Sequence, residues 1–260
     1  MKAYVGITDG DWFDLLAQAS RLDEVNFWQP GGNRIFRALE PGGLFLFKLH
    51  SPRNFIAGGG FFTHATLLPV SLAWESFGVT NGARSLEEMR ARIEHYRRRP
   101  ADVHEDYTIG CVILSQPFFL PEPQWIPAPP DWHPNIVQGR TYDLREQPGR
   151  GLWSAVQAAV AGAGQHWPAA WGDAGGPRYG DPVLAAPRLG QGAFRVLVTD
   201  AYGRRCAVTG ERVRFSRLLT SSPTRLAASI ASTTDCCCEA TYIRSSIGAT
   251  SRRHPTSVSR

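Results

Sequence analysis

At 260 residues the chain can hold one large domain or two small ones, with enough apolar content for a real core. Its formal net charge of +5 comes from 28 basic and 23 acidic residues, but seven of the arginines and two of the acids lie in residues 214–260. That leaves 21 of each sign in the body, so overall basicity gives no argument about its partners. Cys236, Cys237 and Cys238 sit together near the end, leaving only Cys111 and Cys206 before them; this is no disulfide framework and suits a reducing cytoplasm. The opening residues Met1 to Val5 carry no hydrophobic signal segment and no apolar run approaches membrane-spanning length, so the expectation is a cytoplasmic protein without a membrane partner. All basic residues but Lys2 and Lys48 are arginine, and Ala, Gly and Pro are abundant, a composition that points to GC-rich coding DNA.

In chain order, Ala3–Ile7 reads as a first strand, and Asp11 to Ala19 as a short helix with Trp12, Leu15 and Leu16 at helical spacing. Val25 to Gln29 is a strand ending in the turn Pro30-Gly31-Gly32, and Pro41-Gly42-Gly43 is a second turn feeding the apolar strand Leu44–Leu49. Asn54 to Phe62 predicts another strand, interrupted by Gly58-Gly59-Gly60. Ser85-Leu86-Glu87-Glu88 is a capping box opening a helix that runs to about Arg99, before Pro100. Tyr107 to Leu114 is a strand, 116–134 an irregular packed loop rich in Pro and aromatics, and Leu152 to Ala161 a helix. Residues 171–192 read as a Gly/Pro-rich linker. Strands come first with a few helices inserted, which predicts an α+β domain over 1–170, built on a small sheet or barrel.

The turn and strand Pro41-Gly42-Gly43-Leu44-Phe45-Leu46-Phe47, followed by Ile56-Ala57-Gly58-Gly59-Gly60-Phe61-Phe62, resembles the PUA-like superfamily of small barrels. Some of its members read modified or flipped bases. The resemblance implies a DNA-recognition domain, and a base-reading pocket needs aromatic faces with a few polar edges. Asn26, Phe27, Trp28 and Gln29 supply both, and Lys48, His50 and Arg53 could hold phosphate. Each also has a plain structural reading. Phe27 and Trp28 suit a core, and His50 before Ser51-Pro52 suits a turn. Arg97-Arg98-Arg99 complements a helix C-terminus, and the triple glycine lacks the spacing and the following helix of a phosphate loop.

The character of the chain changes after Val213, at the end of a stretch that begins at Ala193: from Arg214 onward there is no Trp, no Lys and only two acids, Asp235 and Glu239. Phe194-Arg195-Val196-Leu197-Val198-Thr199-Asp200-Ala201-Tyr202-Gly203-Arg204-Arg205-Cys206-Ala207-Val208-Thr209-Gly210 resembles the opening of the HNH endonuclease family, of the kind fused to recognition domains in restriction systems. The match is a helix with an aromatic (Tyr202) and a basic pair including Arg205, leading into a Cys-x-x-Thr-Gly turn at Cys206, Thr209 and Gly210. The resemblance implies a ββα-type nuclease in which His and Asn residues work with magnesium or a similar divalent metal to hydrolyse phosphodiesters. None of those His and Asn residues follows Gly210: the remaining chain has one histidine, His254, and no asparagine. Back-translation gives a reason. Phe215–Arg225 can be encoded so that a register one nucleotide earlier reads Val-Leu-Glu-Ala-Ala-His-Ile-Lys-Pro-Tyr-Ala, and Thr234–Ala240 so that it reads Asn-Gly-Leu-Leu-Leu-Arg-Ser. Both are motifs of that family in one register.

The domain reading is therefore a recognition domain (1–170), a linker (171–192), the opening of a nuclease domain (193–213) and an out-of-frame, disordered tail (214–260). Under it the chain is a restriction-type HNH endonuclease by resemblance, has no catalytic or metal-ligating residues of its own, needs no cofactor and has DNA as its partner. The alternatives are a stand-alone module that binds DNA or a modified base without catalysis, and a product that never accumulates.

Overall fold

The computed structural model describes residues 1–19, 22–97, 102, 104–164, 190–203 and 205. It divides into two units, Met1–Leu197 and Val198–Arg260. In the second unit only 198–203 and 205 are described. Cys206, Thr209, Gly210, the tail from 214 and most of the 171–192 linker lie outside the described residues.

Seven strands form one sheet: β1 (Lys2–Thr8), β2 (Glu24–Gln29), β3 (Leu44–Leu49), β4 (Phe55–Pro69), β5 (Thr108–Phe119), β6 (Ile126–Pro127) and β7 (Gly139–Asp143). Their order is β2-β5-β4-β3-β1-β7, with β6 alongside the start of β4. Only β1 and β3 run parallel; the other pairs are antiparallel. Among the described residues five α-helices are inserted or appended: α1 (Gly10–Ala17), α2 (Val70–Phe77), α3 (Leu86–Tyr96), α4 (Gly149–Gly162) and α5 (Gln191–Ala201). The class is α+β with a small open sheet and inserted helices, as the strand-first pattern predicts.

The sheet curls because β4 is long and bent. Its ladder with β5 shifts register between Gly59 and Phe61 and again between Phe62 and His64. The glycines make this possible. A Cβ on Gly58 would lie 2.3 Å from the Phe118 carbonyl oxygen, and one on Gly59 would lie 2.6 Å from that of Phe45, so only glycine fits between the neighbouring backbones. Curling brings β2 over β3, although two strands separate them in the sheet. Phe27 packs 4.7 Å from Phe45 and Trp12 of α1 lies 5.1 Å from Phe47, forming an aromatic interior of edge-on and tilted rings. The opposite face is aliphatic: Ala3, Val5, Leu44, Leu46 and Ile56 pack against Leu152, Val156, Ala159 and Val160 of α4. Each of the valine, leucine and isoleucine side chains removed from water stabilises the fold by about 1.5–3 kcal/mol.

Several bounds differ from the sequence reading. β5 continues through Phe119, into the segment expected to be irregular, and β4 runs seven residues past Phe62. α2 has no counterpart in the sequence reading. α3 ends at Tyr96, where Arg97 turns to an extended conformation, rather than near Arg99. The polar stretch Thr63-His64-Ala65-Thr66 carries little strand signal of its own; its partner β5 holds it in the sheet.

Candidate functional site

Parallel pairing of β1 and β3 sets Thr8 opposite Leu49, so both strands leave the sheet at the same edge and the residues that follow them, Asp9 and His50, become neighbours. Asp9 is the N-cap of α1, its Oδ1 accepting the Trp12 amide at 2.8 Å. Its Oδ2 accepts the Tyr96 hydroxyl at 2.7 Å, which brings the end of α3 to the same place. Burial, and then this bond to a carboxylate, push the Tyr96 hydroxyl well above the usual phenol range, so Tyr96 remains a donor. The His50 ring lies nearly parallel to Tyr96, 5.7 Å away with 14° between planes. Burial lowers the His50 pKa below its ordinary 6.5, with nearby Asp9 opposing and Lys48 assisting, so the imidazole is neutral at pH 7. Asp9, Gly10, Asp11 and Asp14 on one side and Leu49 to Arg53 on the other line a cleft of about 260 Å³.

Lys48 lies beneath this edge and is only 3% exposed. Its ammonium donates to Asn54 Oδ1 at 2.7 Å and to the Leu49 carbonyl at 3.2 Å, and sits 5.2 Å from the centre of the Trp132 ring. Asn54 adopts a left-handed backbone (φ 53°), a conformation that asparagine tolerates better than most residues. Burial lowers the Lys48 pKa. Arg53 forks onto Asp14 with two bonds of 2.8 Å, and its guanidinium lies 5.9 Å from the centre of Trp125. Lys48, His50 and Arg53 thus each meet an aromatic ring, from Trp132, Tyr96 and Trp125 in turn. The cleft itself carries three carboxylates, and its one lining arginine is already paired. That balance disfavours a phosphate and suits a neutral group with donor edges.

The six residues singled out from the sequence therefore fall into two places. His50 and Arg53 line the cleft, and Lys48 lies buried beneath its edge. Asn26 and Trp28 are buried in β2: Asn26 Nδ2 donates to Asn81 Oδ1 at 2.8 Å, and Trp28 Nε1 donates to the Asn81 carbonyl at 3.1 Å, tying β2 to the 3-10 turn Gly78–Asn81. Gln29 ends β2, half-buried, its side chain close to Gly110. Sequence reasoning missed Asp9, Asp14, Asn54, Tyr96, Trp125 and Trp132. Asp9 was within reach, since an aspartate just before an amphipathic helix is an N-cap signal; the others come together only through the fold. Tyr202 is half exposed just past the end of α5. Among the described residues no group of three or more His, Cys, Asp or Glu side chains is placed to hold a metal ion, and no helix is long and apolar enough to cross a membrane. The donor set left after Gly210, with one histidine and no asparagine, does not fit the metal centre implied by the nuclease resemblance.

No protein-family model matches the chain, and no curated protein matches it. Among solved structures it is similar to the crystal structure of a point-mutant ZmASCH protein from Zymomonas mobilis, at 11% identity and a TM-score of 0.40, over 59% of this chain and 98% of that one. A likeness this slight adds nothing to the argument from the site's own residues.

Proposed function

We propose that Met1–Leu197 is a nucleic-acid-binding module that receives an unpaired base in the cleft beside His50. The observation that carries this reading is the exposed His50 ring, backed by Tyr96, on the wall of a cleft whose other wall is acidic. A base offers a π-face to the imidazole and amino edges to Asp11 and Asp14, while its phosphates stay outside the acidic cleft. Neutral His50 serves as a stacking surface at pH 7, so binding does not depend on its protonation there. The test is fluorescence anisotropy of a short single-stranded oligonucleotide with the full chain at low salt. Stacking contributes roughly 1–3 kcal/mol per base, so His50→Ala should weaken binding at least fivefold, while His50→Phe retains most of it. Equal binding by wild type and His50→Ala would sink the proposal.

A second reading concerns the nuclease resemblance, favoured by the two tail blocks that regain family motifs in one shifted register. In it, an in-frame form of this protein is a restriction-type HNH endonuclease and the chain as it stands does not cut DNA. Sequencing the encoding DNA across codons 205–260 tests the shift, and plasmid nicking with magnesium or manganese tests the chain. Cleavage by the purified 260-residue protein, surviving removal of trace nucleases, would contradict it.

A further inference from the structure

The connection between β2 and β3 carries Asn33, Arg34, Ile35 and Arg37 in exposed positions. Among the described residues neither the Arg34 nor the Arg37 guanidinium has a hydrogen-bond or ion-pair partner. Every other described arginine between Met1 and Leu197 has one, from Arg53 on Asp14 to Arg195 on the Glu75 carbonyl. Ile35, between them, is 43% exposed. Two unpaired cations flank an apolar side chain.

This loop is held at three points. At its start, Gly32 passes so close to β5 that a Cβ there would lie 2.0 Å from the Thr108 carbonyl oxygen, and Arg97 reaches both the Pro30 and Thr108 carbonyls at 3.4 Å. At its end, the Gly42 amide donates to the Phe62 carbonyl at 2.7 Å and the Phe62 amide to that of Gly43 at 2.8 Å. In the middle, Phe36 packs 4.9 Å from Tyr4, 5.4 Å from Phe62 and 5.8 Å from Phe45. Ordering on contact is therefore largely complete before any partner arrives. Phe36 meets Tyr4 and Phe45, whereas the cleft opens beyond Thr8 and Leu49, four residues or about 13 Å further along the same parallel strands.

We propose that Arg34 and Arg37 bind the phosphates of a DNA duplex while Ile35 enters the groove between them and wedges a base step. The inference rests on the nucleic-acid reading above but uses different residues at the opposite end of the strand pair. Unpaired arginines supply the phosphate contacts that the acidic cleft lacks, and one apolar side chain on a fixed backbone is the usual size of an intercalating wedge. A lipid surface is the weaker fit, because a single isoleucine offers little apolar area for insertion.

The test uses the full chain, its Arg34→Ala/Arg37→Ala, Ile35→Ala and His50→Ala variants, and a 20-base-pair duplex carrying 2-aminopurine. Every one of these proteins keeps the seven tail arginines, so differences between them report the loop and cleft alone. The double arginine variant should bind roughly tenfold more weakly at low salt, with a log–log salt slope shallower by about 2. Arg34→Lys/Arg37→Lys should keep the slope, and matched thermal midpoints exclude misfolding. Ile35→Ala should leave the slope unchanged and lose the rise in 2-aminopurine fluorescence that reports unstacking. Unchanged duplex affinity and slope in the double alanine variant overturns the proposal. So does arginine-dependent binding to phosphatidylserine–phosphatidylcholine vesicles without duplex binding. If His50→Ala abolishes single-stranded binding while no protein binds duplex, this inference falls and the cleft reading stands; the reverse pattern sinks the cleft reading alone.

Discussion

Glu24 is a buried acid at the start of β2, and both of its carboxylate oxygens are used: they accept the Gly192 amide at 2.7 Å and the Ala193 amide at 3.1 Å. These are among the unsatisfied donors at the start of α5, so an acid 168 positions away in the chain caps the helix. Gly192 is required at this contact, since a Cβ would lie 2.7 Å from both the Phe77 ring and the Ser76 carbonyl. Glu24→Ala should destabilise Met1–Leu197 by about 1–3 kcal/mol in urea unfolding and expose the Gly192 and Ala193 amides to hydrogen exchange. Glu24→Gln should lose less, because it keeps one acceptor. Unchanged amide protection in Glu24→Ala would contradict this role. A glutamate opening an apolar strand gives no sign of a helix that far along the chain. For that reason the sequence reading placed residues up to 192 in a linker, while the first turn of α5 packs with α2 and β2.

At the scale of elements, the strand β3 was readable because Leu44 to Leu49 is apolar except for Lys48 and lies between two neighbours, β1 and β4, buried along its whole length. The glycines of β4 were also readable as a place of close backbone approach. Their consequence, a sheet curled until Phe27 touches Phe45, was not, because it depends on where β5 shifts register. The three glycines should differ in what they tolerate. Gly58→Ala meets the Phe118 carbonyl oxygen at 2.3 Å, a backbone atom that cannot move without breaking the ladder, whereas Gly60→Ala meets a Leu114 side-chain atom at 3.2 Å. Gly58→Ala should therefore destabilise by about 1–3 kcal/mol or more and Gly60→Ala by clearly less, read as shifts in thermal midpoint. Equal shifts would show that the curl does not depend on close approach at Gly58. Of the cleft, sequence reasoning found His50 and Arg53, and beneath its edge Lys48, all close to a strong strand signal. It missed Tyr96, which α3 contributes, and the tryptophans of the Pro-rich segment, whose packing no periodicity announces.

For the whole molecule, a neutral body conceals an uneven distribution of free charge. Nearly every described arginine of Met1–Leu197 is spent on an internal partner, the cleft is acidic, and the unpaired cations of the β2–β3 loop stand at the other end of the β1–β3 pair. Net charge could not reveal that arrangement, because it does not distinguish a paired arginine from a free one. The central claim is that a base stacks on His50, and the most direct measurement is the NMR resonance of the His50 ring during titration of the full chain with a short single-stranded oligonucleotide. The account expects the Hε1 signal to move upfield, from the ring current of the stacked base, and to saturate with the affinity seen by anisotropy. Saturable binding with the His50 resonance unmoved would contradict it.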